Sequence, residues 1–204
     1  MSRLVMCGIP RSGSTLVWQI VSEVTGLTIE QTHPLYVREN GWDLRGTKLI
    51  ITYRDPRDIA ASLYRVRLSR GGPGVGGEDG LKCVIHRAKL YFDAARTFRG
   101  KGHLFLRYED FVNDRSVVFA GIKELTGIDV APDERARIVE KFSLESNRAR
   151  AAQLPDFNSI GEYEIHGDHI GPVVHGSWRS GLPPWGVRMV EDGCAQTARE
   201  WDYE

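Results

Sequence analysis

Residues 8–15, Gly-Ile-Pro-Arg-Ser-Gly-Ser-Thr, constrain the fold of this chain more than any other stretch. The apolar run 4–6 precedes this loop, and apolar residues recur at helical spacing after it until Gly26. A strand, a glycine-bearing loop and a helix N-terminus together aim backbone N–H groups and the positive end of a helix dipole at an anion. The sequence therefore predicts an anion-binding loop after the first strand.

This loop differs from the nucleoside-triphosphate loop at one important position. A triphosphate hydrolase needs G-x-x-x-x-G-K-[S/T], in which the lysine contacts the phosphates and the hydroxyl binds Mg²⁺. Gly8 and Gly13 have the required spacing and Thr15 supplies a hydroxyl, but Ser14 stands where the lysine should be. The cation is instead Arg11, inside the loop. The pattern therefore disfavours an ATP or GTP hydrolase.

Predicted strands and helices alternate along the chain. Strands are expected at 4–6, 27–33, 48–54 and 104–108. Helices are expected after residue 15, from Pro56 with Asp55 as N-cap, and over 81–99, 115–126, 132–142 and 184–201. This alternation predicts an α/β fold, a parallel central sheet flanked by helices, with its ligand at the carboxyl ends of the strands.

Two stretches lack a regular pattern. Residues 69–80 contain six glycines and one proline, which predicts a mobile loop. Residues 155–180 show no clear periodicity, and we expect them to form a lid. Because the alternation resumes after the first stretch, residues 1–204 are expected to form one domain.

The composition restricts the partners. The formal net charge is zero, so no overall field attracts nucleic acid or an anionic membrane. The three cysteines are widely separated, which is typical of a reducing cytoplasm. No apolar run approaches 18 residues, and no signal leader is apparent at the start of the chain, so we expect neither a membrane span nor a leader.

Polar residues gather where the predicted strands end. Residues 11–15 follow the first strand, His33 ends the second, Arg54 the third and Tyr108 the fourth. No strand ends in an aspartate suited to Mg²⁺, since Asp55 is explained as a helix cap. His166, His169 and His175 match no familiar metal spacing. The pattern favours transfer of an already activated anionic group with no metal.

Four motifs occur in order at these positions: 9–15, 31–33, 54–62 and 107–110. They are similar to the Y-P-K-S-G-T-T, K-T-H, R-N-P-x-D-x-x-x-S and Y-E-D segments of one family. Through them the chain resembles the cytosolic sulfotransferases that use 3′-phosphoadenosine 5′-phosphosulfate (PAPS). The resemblance implies their P-loop-like fold and PAPS as the sulfuryl donor.

The resemblance also implies roles for individual residues. His33 would be the general base, and Arg11 would act on the reacting group. Arg54 and Ser62 would hold the 3′-phosphate. The implied cofactor-binding set also contains Ser12, Gly13, Ser14, Thr15, which surround the 5′-phosphosulfate, and Tyr108, which contacts the adenine.

The chain departs from the family pattern in several places. Leu16 and Leu144 replace aromatic residues that stack on the adenine, and Gln31 replaces the lysine before Thr-His. The closing segment R-K-G-x-x-G-D-W is matched only by pieces of 169–179 with shifted spacing. Arg179 is the expected substitute for its 3′-phosphate contact.

The sequence predicts a sulfotransferase acting on a hydroxyl or amine of a small-molecule or saccharide acceptor. Two alternatives stay open: a P-loop-type kinase or nucleotide-binding enzyme, and a non-catalytic module that binds the nucleotide. Arg65, Arg67 and Arg70 have two interpretations, a solvated helix end or a guide for an acidic acceptor.

Overall fold

The computed structural model describes residues 3–71, 75–156, 159–167, 170 and 175–203. Within these residues, four strands form one parallel sheet in the order β2-β1-β3-β4. The strands are β1 (Arg3–Cys7), β2 (Glu30–Thr32), β3 (Thr47–Tyr53) and β4 (Leu104–Arg107). The predicted parallel α/β sheet is confirmed.

The apolar run of β3 explains why the sheet is covered on both faces. Side chains alternate between the faces of a strand, so Leu49 and Ile51 enter one core cluster and Ile50 enters another. All three are fully buried. A strand buried on both faces is typical of a parallel sheet lying between two helical layers.

Ten α-helices and one 3₁₀ turn are present in the described ranges. They are α1 (Ser14–Thr25), α2 (Pro34–Glu39), α3 (Pro56–Arg70), α4 (Gly77–Arg96), α5 (Tyr108–Asn113), α6 (Ser116–Thr126), α7 (Pro132–Lys141), α8 (Leu144–Ala151), α9 (Trp178–Gly181), α10 (Pro184–Glu200) and the turn Glu162–Glu164. Helices α2, α3, α4 and α10 cover one face of the sheet, and α1, α5, α6 and α7 cover the other. The predicted cap of α3 is confirmed, because the Asp55 carboxylate accepts from the Arg57 N–H at 2.9 Å.

The predicted irregular structure over 69–80 is wrong for residues 69–70 and 77–80, half of that range, because these residues are helical. Helix α3 continues to Arg70 and α4 begins at Gly77, which leaves only 71–76 as a connection; 72–74 lie outside the described residues. Acidic residues in the first turn of α4 stabilise the start of this helix, because they interact favourably with the positive end of its dipole. Gly80 is required there, since a Cβ would lie 2.3 Å from the Val75 carbonyl oxygen.

Other differences are shorter. The predicted strand 27–33 contains only β2, which pairs with β1 alone and is followed by Pro34 at the start of α2. Helices α2, α5, α8 and α9 were not predicted, because each is too short to show two repeats of the helical pattern. The expected lid, 155–180, is described only in part, and residues 157–158, 168–169 and 171–174 lie outside the described residues.

Among the helices of the described ranges, none combines the length and the apolar character required to cross a membrane.

Candidate active site

The loop between β1 and α1 turns sharply and lies close to its neighbours. Arg11 and Gly13 have φ angles of 69° and 77°, in the left-handed region. A Cβ on Gly8 would lie 2.4 Å from the Ser14 Cβ and 2.5 Å from the Thr52 Oγ1. A Cβ on Gly13 would lie 2.9 Å from Tyr108. Glycine at both positions therefore lets the loop approach β3 and α5.

Ser12 stabilises the conformation of the loop through buried hydrogen bonds. Its hydroxyl is fully buried and donates to the Ile9 carbonyl at 2.6 Å, with the Thr52 hydroxyl also 2.6 Å away. Its backbone N–H also donates to the Ile9 carbonyl, at 3.2 Å. Ser12 thus braces the loop, whereas the neighbouring loop residues Arg11, Gly13, Ser14 and Thr15 line a cavity.

The first cavity has a volume of about 250 Å³ and combines cationic with apolar walls. Its polar side chains include four arginines, Arg11, Arg54, Arg65 and Arg115, together with Ser62 and Tyr108. Its apolar wall contains Leu16, Val112, Phe142, Leu144 and Ile165. Such a lining suits a ligand that has anionic groups and a flat apolar part.

A second cavity, of about 690 Å³, lies on the other side of the loop. It shares Arg11, Ser14 and Thr15 with the first cavity. Its remaining lining comes from β2, α2 and α4, with Pro10 and His166, and consists of Gln31, Thr32, His33, Leu35, Tyr36, Glu39, Arg87 and Tyr91. The two cavities therefore meet at the anion-binding loop, so two ligands could contact each other there.

Arg11 connects the loop to α3. Its Nε donates to the Ser62 hydroxyl at 2.9 Å. Burial, together with the nearby charges of Arg65 and Arg54, lowers the pKa of Arg11 to about 10. The guanidinium is still protonated at neutral pH, in surroundings that favour the arrival of an anion.

Arg54 is held by two contacts. Its guanidinium pairs with the Asp58 carboxylate at 3.3 Å, and both side chains are buried. It also stacks on Tyr108, with 4.4 Å between the guanidinium carbon and the ring centroid. The pair is therefore a buried ion pair and not the surface contact that i,i+4 spacing alone would indicate.

Asp58 also anchors residues 176–178, near the end of the expected lid. Its carboxylate accepts from the Gly176 N–H at 2.9 Å, the Ser177 hydroxyl at 2.9 Å and the Trp178 N–H at 3.0 Å. Arg179 is exposed, and its guanidinium carbon lies 4.2 Å from the Trp178 ring centroid. Arg179 lines neither cavity as the described residues define them.

His33 follows β2 and is the N-cap residue of α2. Its Nδ1 lies 2.7 Å from the Gly8 carbonyl oxygen. Because a carbonyl only accepts, this contact places the ring proton on Nδ1 and leaves a lone pair on Nε2. The edge of the ring packs against Tyr91, with 5.8 Å between centroids.

The surroundings of His33 favour its neutral form. His33 is an exposed residue at the second cavity, and the protein atoms packed around its ring nevertheless remove enough water to lower the pKa of the imidazole. The Gly8 hydrogen bond acts in the opposite direction, and the positive charge of Arg87 lowers the pKa further. The net effect is a pKa below the usual value, so the ring is a proton acceptor at neutral pH.

One group of potential metal ligands lies near this site. Oxygen and nitrogen atoms of Asp55, Asp58 and His175 lie within 4.8 Å of one another. The Asp55 carboxylate, however, accepts from both the backbone and the guanidinium of Arg57. Since N–H and O–H donors point at the oxygens of both carboxylates, the arrangement suits a hydrogen-bonded cluster better than a cation.

The sequence missed several lining residues. Arg65 was considered only as a helix end or as a guide for an acidic acceptor. Its position three residues after Ser62, on the same face of α3, is the signal for its place in the first cavity. Val112, Arg115 and Phe142 reach the first cavity from elements with no sequence link to the loop. Tyr36, Arg87 and Tyr91 reach the second cavity in the same way.

Comparison with known proteins bears on this geometry. A family described as the sulfotransferase domain matches residues 31–202. The match begins after the anion-binding loop, so the family match and the sequence of the loop are separate observations. No protein of curated function matches the sequence significantly.

Several solved structures share the fold. Retinol dehydratase with androsterone and the inactive cofactor PAP has a TM-score of 0.70 at 16% identity, covering 98% of this chain and 82% of that one. Retinol dehydratase with retinol and PAP has a TM-score of 0.68, with the same identity and the same coverage of both chains. Mouse sulfotransferase SULT7A1 complexed with PAP has a TM-score of 0.65 at 16% identity, covering 98% and 85%.

Proposed function

The chain belongs to the sulfotransferase domain family, and from this we propose that it transfers a sulfuryl group from PAPS to a hydroxyl or amine of a small-molecule or saccharide acceptor. The PAP bound in the structural neighbours supports PAPS as the donor. The observation that carries the proposal is the meeting of two cavities at Arg11, Ser14 and Thr15. A group-transfer enzyme needs donor and acceptor sites that open onto one reacting centre.

The donor is assigned to the first cavity. Arg11, Thr15 and the N–H groups at the start of α1 would surround the 5′-phosphosulfate. Arg54 and Ser62 would contact the 3′-phosphate. Tyr108 and the apolar wall would hold the adenine, which offsets the replacement of the usual stacking aromatic residues by Leu16 and Leu144.

The acceptor is assigned to the second cavity, beside His33. The acceptor oxygen or nitrogen attacks sulfur while the bond from sulfur to the phosphate oxygen breaks. The acceptor proton passes to Nε2 of His33, and the electron pair of the broken bond stays on the 5′-phosphate of PAP. Arg11 and the loop N–H groups stabilise the charge that develops on this leaving group.

A turnover assay tests the proposal. PAPS is supplied with phenol, alcohol, amine and monosaccharide acceptors, and formation of PAP and of the sulfated product is measured. We expect turnover with at least one class. His33→Ala should reduce kcat for an alcohol by roughly 10²–10⁴-fold, and Arg11→Ala by roughly 10²–10³-fold.

Controls separate chemistry from folding and from the alternatives. His86 is an exposed histidine on α4, and His86→Ala should leave the rate unchanged. Wild-type turnover of the His33 variant would remove the proposed base. Tight PAP binding with no turnover on any acceptor would support the non-catalytic module. Phosphoryl transfer from ATP that EDTA abolishes would support the kinase.

A further inference from the structure

One wall of the first cavity is formed by α3 and by Arg54, which follows β3. The positive charge of Arg54 on this wall is largely balanced by a carboxylate. Arg54 and Asp58 form a buried ion pair, with side chains 5% and 0% exposed. The hydroxyl of Ser62 is neutral and already accepts a hydrogen bond from Arg11. A phosphate group placed against Arg54 and Ser62 alone would meet hydrogen-bond donors but an almost balanced local charge.

Arg65 is the second cation on this wall, and within the described ranges it is not held in an ion pair as Arg54 is. It lies one helical turn after Ser62, is half-buried and lines the first cavity. Among the residues that the structure describes, no carboxylate forms an ion pair with it. Burial and the nearby charge of Arg54 lower the pKa of Arg65, and the Asp58 carboxylate acts in the opposite direction. The net effect is a lowered pKa, so an arriving anion would stabilise the charged guanidinium.

The segment after α8 offers no lysine or arginine in its place. Residues 151–178 contain neither lysine nor arginine. The first cation after them, Arg179, stacks on the Trp178 ring and is exposed. Arg115 also lines the cavity from outside this wall, and its guanidinium donates to the Phe111 carbonyl in α5.

We propose that Arg65 binds the 3′-phosphate and supplies the net positive charge that selects a 3′,5′-bisphosphate nucleotide over a 5′-monophosphate. This inference rests on the proposed function and assigns to Arg65 on α3 the additional 3′-phosphate contact that was expected from Arg179. A guanidinium can form two parallel hydrogen bonds to phosphate oxygens, which suits recognition of a terminal phosphate group. Arg54 and Ser62 then orient that group, and Arg65 neutralises it.

Calorimetry with PAP and with adenosine 5′-monophosphate tests this role. Arg65→Gln should weaken PAP binding by at least tenfold, about 1.4 kcal/mol, and change monophosphate binding by less than about threefold. Arg65→Lys keeps the charge and should recover part of the PAP affinity. Arg179→Gln removes the same charge from the exposed position, and both affinities should stay at the wild-type level.

The outcomes distinguish this inference from the proposed function. If wild-type protein does not prefer PAP to the monophosphate, the proposed function itself fails. If wild-type protein prefers PAP and Arg65→Gln keeps that preference, Arg65 is not the selecting residue. Equal weakening of both ligands, or a selective loss in Arg115→Gln or Arg179→Gln instead, also overturns the proposal. Thermal unfolding of each variant shows whether a lost affinity reflects lost structure.

Discussion

At the scale of the residue, one backbone carbonyl connects the two halves of the proposed reaction. The Gly8 carbonyl accepts from Nδ1 of His33, and Gly8 opens the loop that carries Arg11. The same loop therefore orients the proposed base and the proposed leaving-group contact. A substitution at Gly8 would move both, because a Cβ there would collide with Ser14 and Thr52.

The pH dependence of turnover should report the state of His33. A general base must be neutral, and burial holds the pKa of His33 below its usual value. Turnover should therefore be constant through neutral pH and fall only below about 6.5, the ordinary imidazole value. Arg87→Gln removes a positive charge that lowers this pKa, so the acidic limb should move to higher pH.

Profiles of kcat/KM against pH check this expectation, with Lys82→Gln as the control. Lys82 is an exposed cation on the same helix, α4, and does not line the second cavity as the described residues define it. Its substitution should leave the limb in place. An acidic limb that does not move in Arg87→Gln, or that moves to lower pH, would contradict the assignment of the limb to His33.

At the scale of the element, α3 joins the donor cavity to the segment before α9. Asp58 in its first turn pairs with Arg54 and accepts from Gly176, Ser177 and Trp178. The side chain of Asp58 is 0% exposed, so these four contacts replace all of its contacts with water. The position of this segment therefore depends on a carboxylate that also fixes a cavity residue.

We predict that Asp58→Asn lowers the free energy of unfolding by roughly 3–5 kcal/mol, because it leaves the buried Arg54 without its counter-charge. Amide hydrogen exchange at Gly176 and Trp178 should become faster, since both N–H groups lose a charged acceptor. Urea unfolding and exchange measurements check both parts. Asp110→Asn, at an exposed aspartate on α5, should change neither quantity. Unchanged exchange at 176–178 in Asp58→Asn would show that other contacts hold the segment.

The sequence predicted the elements whose local signals agree with their packing. The buried strand β3, the capped start of α3 and the glycine end of α1 were identified because one short stretch determines each of them. The loop, Arg54, Ser62 and Tyr108 were expected to lie together, and they do, because parallel strands end at the same edge of a sheet.

The parts that were missed depend on tertiary contacts. The range 69–80 looked irregular because it is rich in glycine, yet α4 begins inside it and is stabilised by packing against α3 and α10. Arg179 was expected to contact the 3′-phosphate because it lies in the stretch that partly matches the closing segment of the family. In the structure its guanidinium stacks on the buried Trp178 ring, which the guanidinium of Arg57 also contacts. No local pattern encodes that stacking.

At the scale of the whole molecule, residues 201–203 complete the core and are linked to the cap of α3. Trp201 is almost fully buried and packs against Tyr53, with 4.9 Å between ring centroids, and against Phe92, with 5.0 Å. Two residues later, the Tyr203 hydroxyl donates to the Glu109 carboxylate at 2.8 Å. The other oxygen of Glu109 accepts from the backbone N–H of Asp55, the cap of α3.

This arrangement predicts that a substitution at Trp201 lowers the stability of the fold without changing nucleotide binding. Trp201→Ala should lower the free energy of unfolding by roughly 3–5 kcal/mol, as expected when a large buried aromatic side chain is removed. Trp201→Phe keeps a ring in the cluster and should cost clearly less. PAP affinity of the folded variants should stay close to wild type, because Trp201 lines neither cavity of the described residues.

Urea unfolding with and without PAP checks the prediction, because a ligand that binds only the folded state raises the unfolding free energy by an amount set by its concentration and Kd. If the core and the site are separable, PAP should therefore stabilise Trp201→Ala by the same increment as wild type. An increment that falls with the loss of stability would mean that the chain end also orders the cap of α3 through Tyr203 and Glu109. A loss below about 1 kcal/mol in Trp201→Ala would contradict its place in the core.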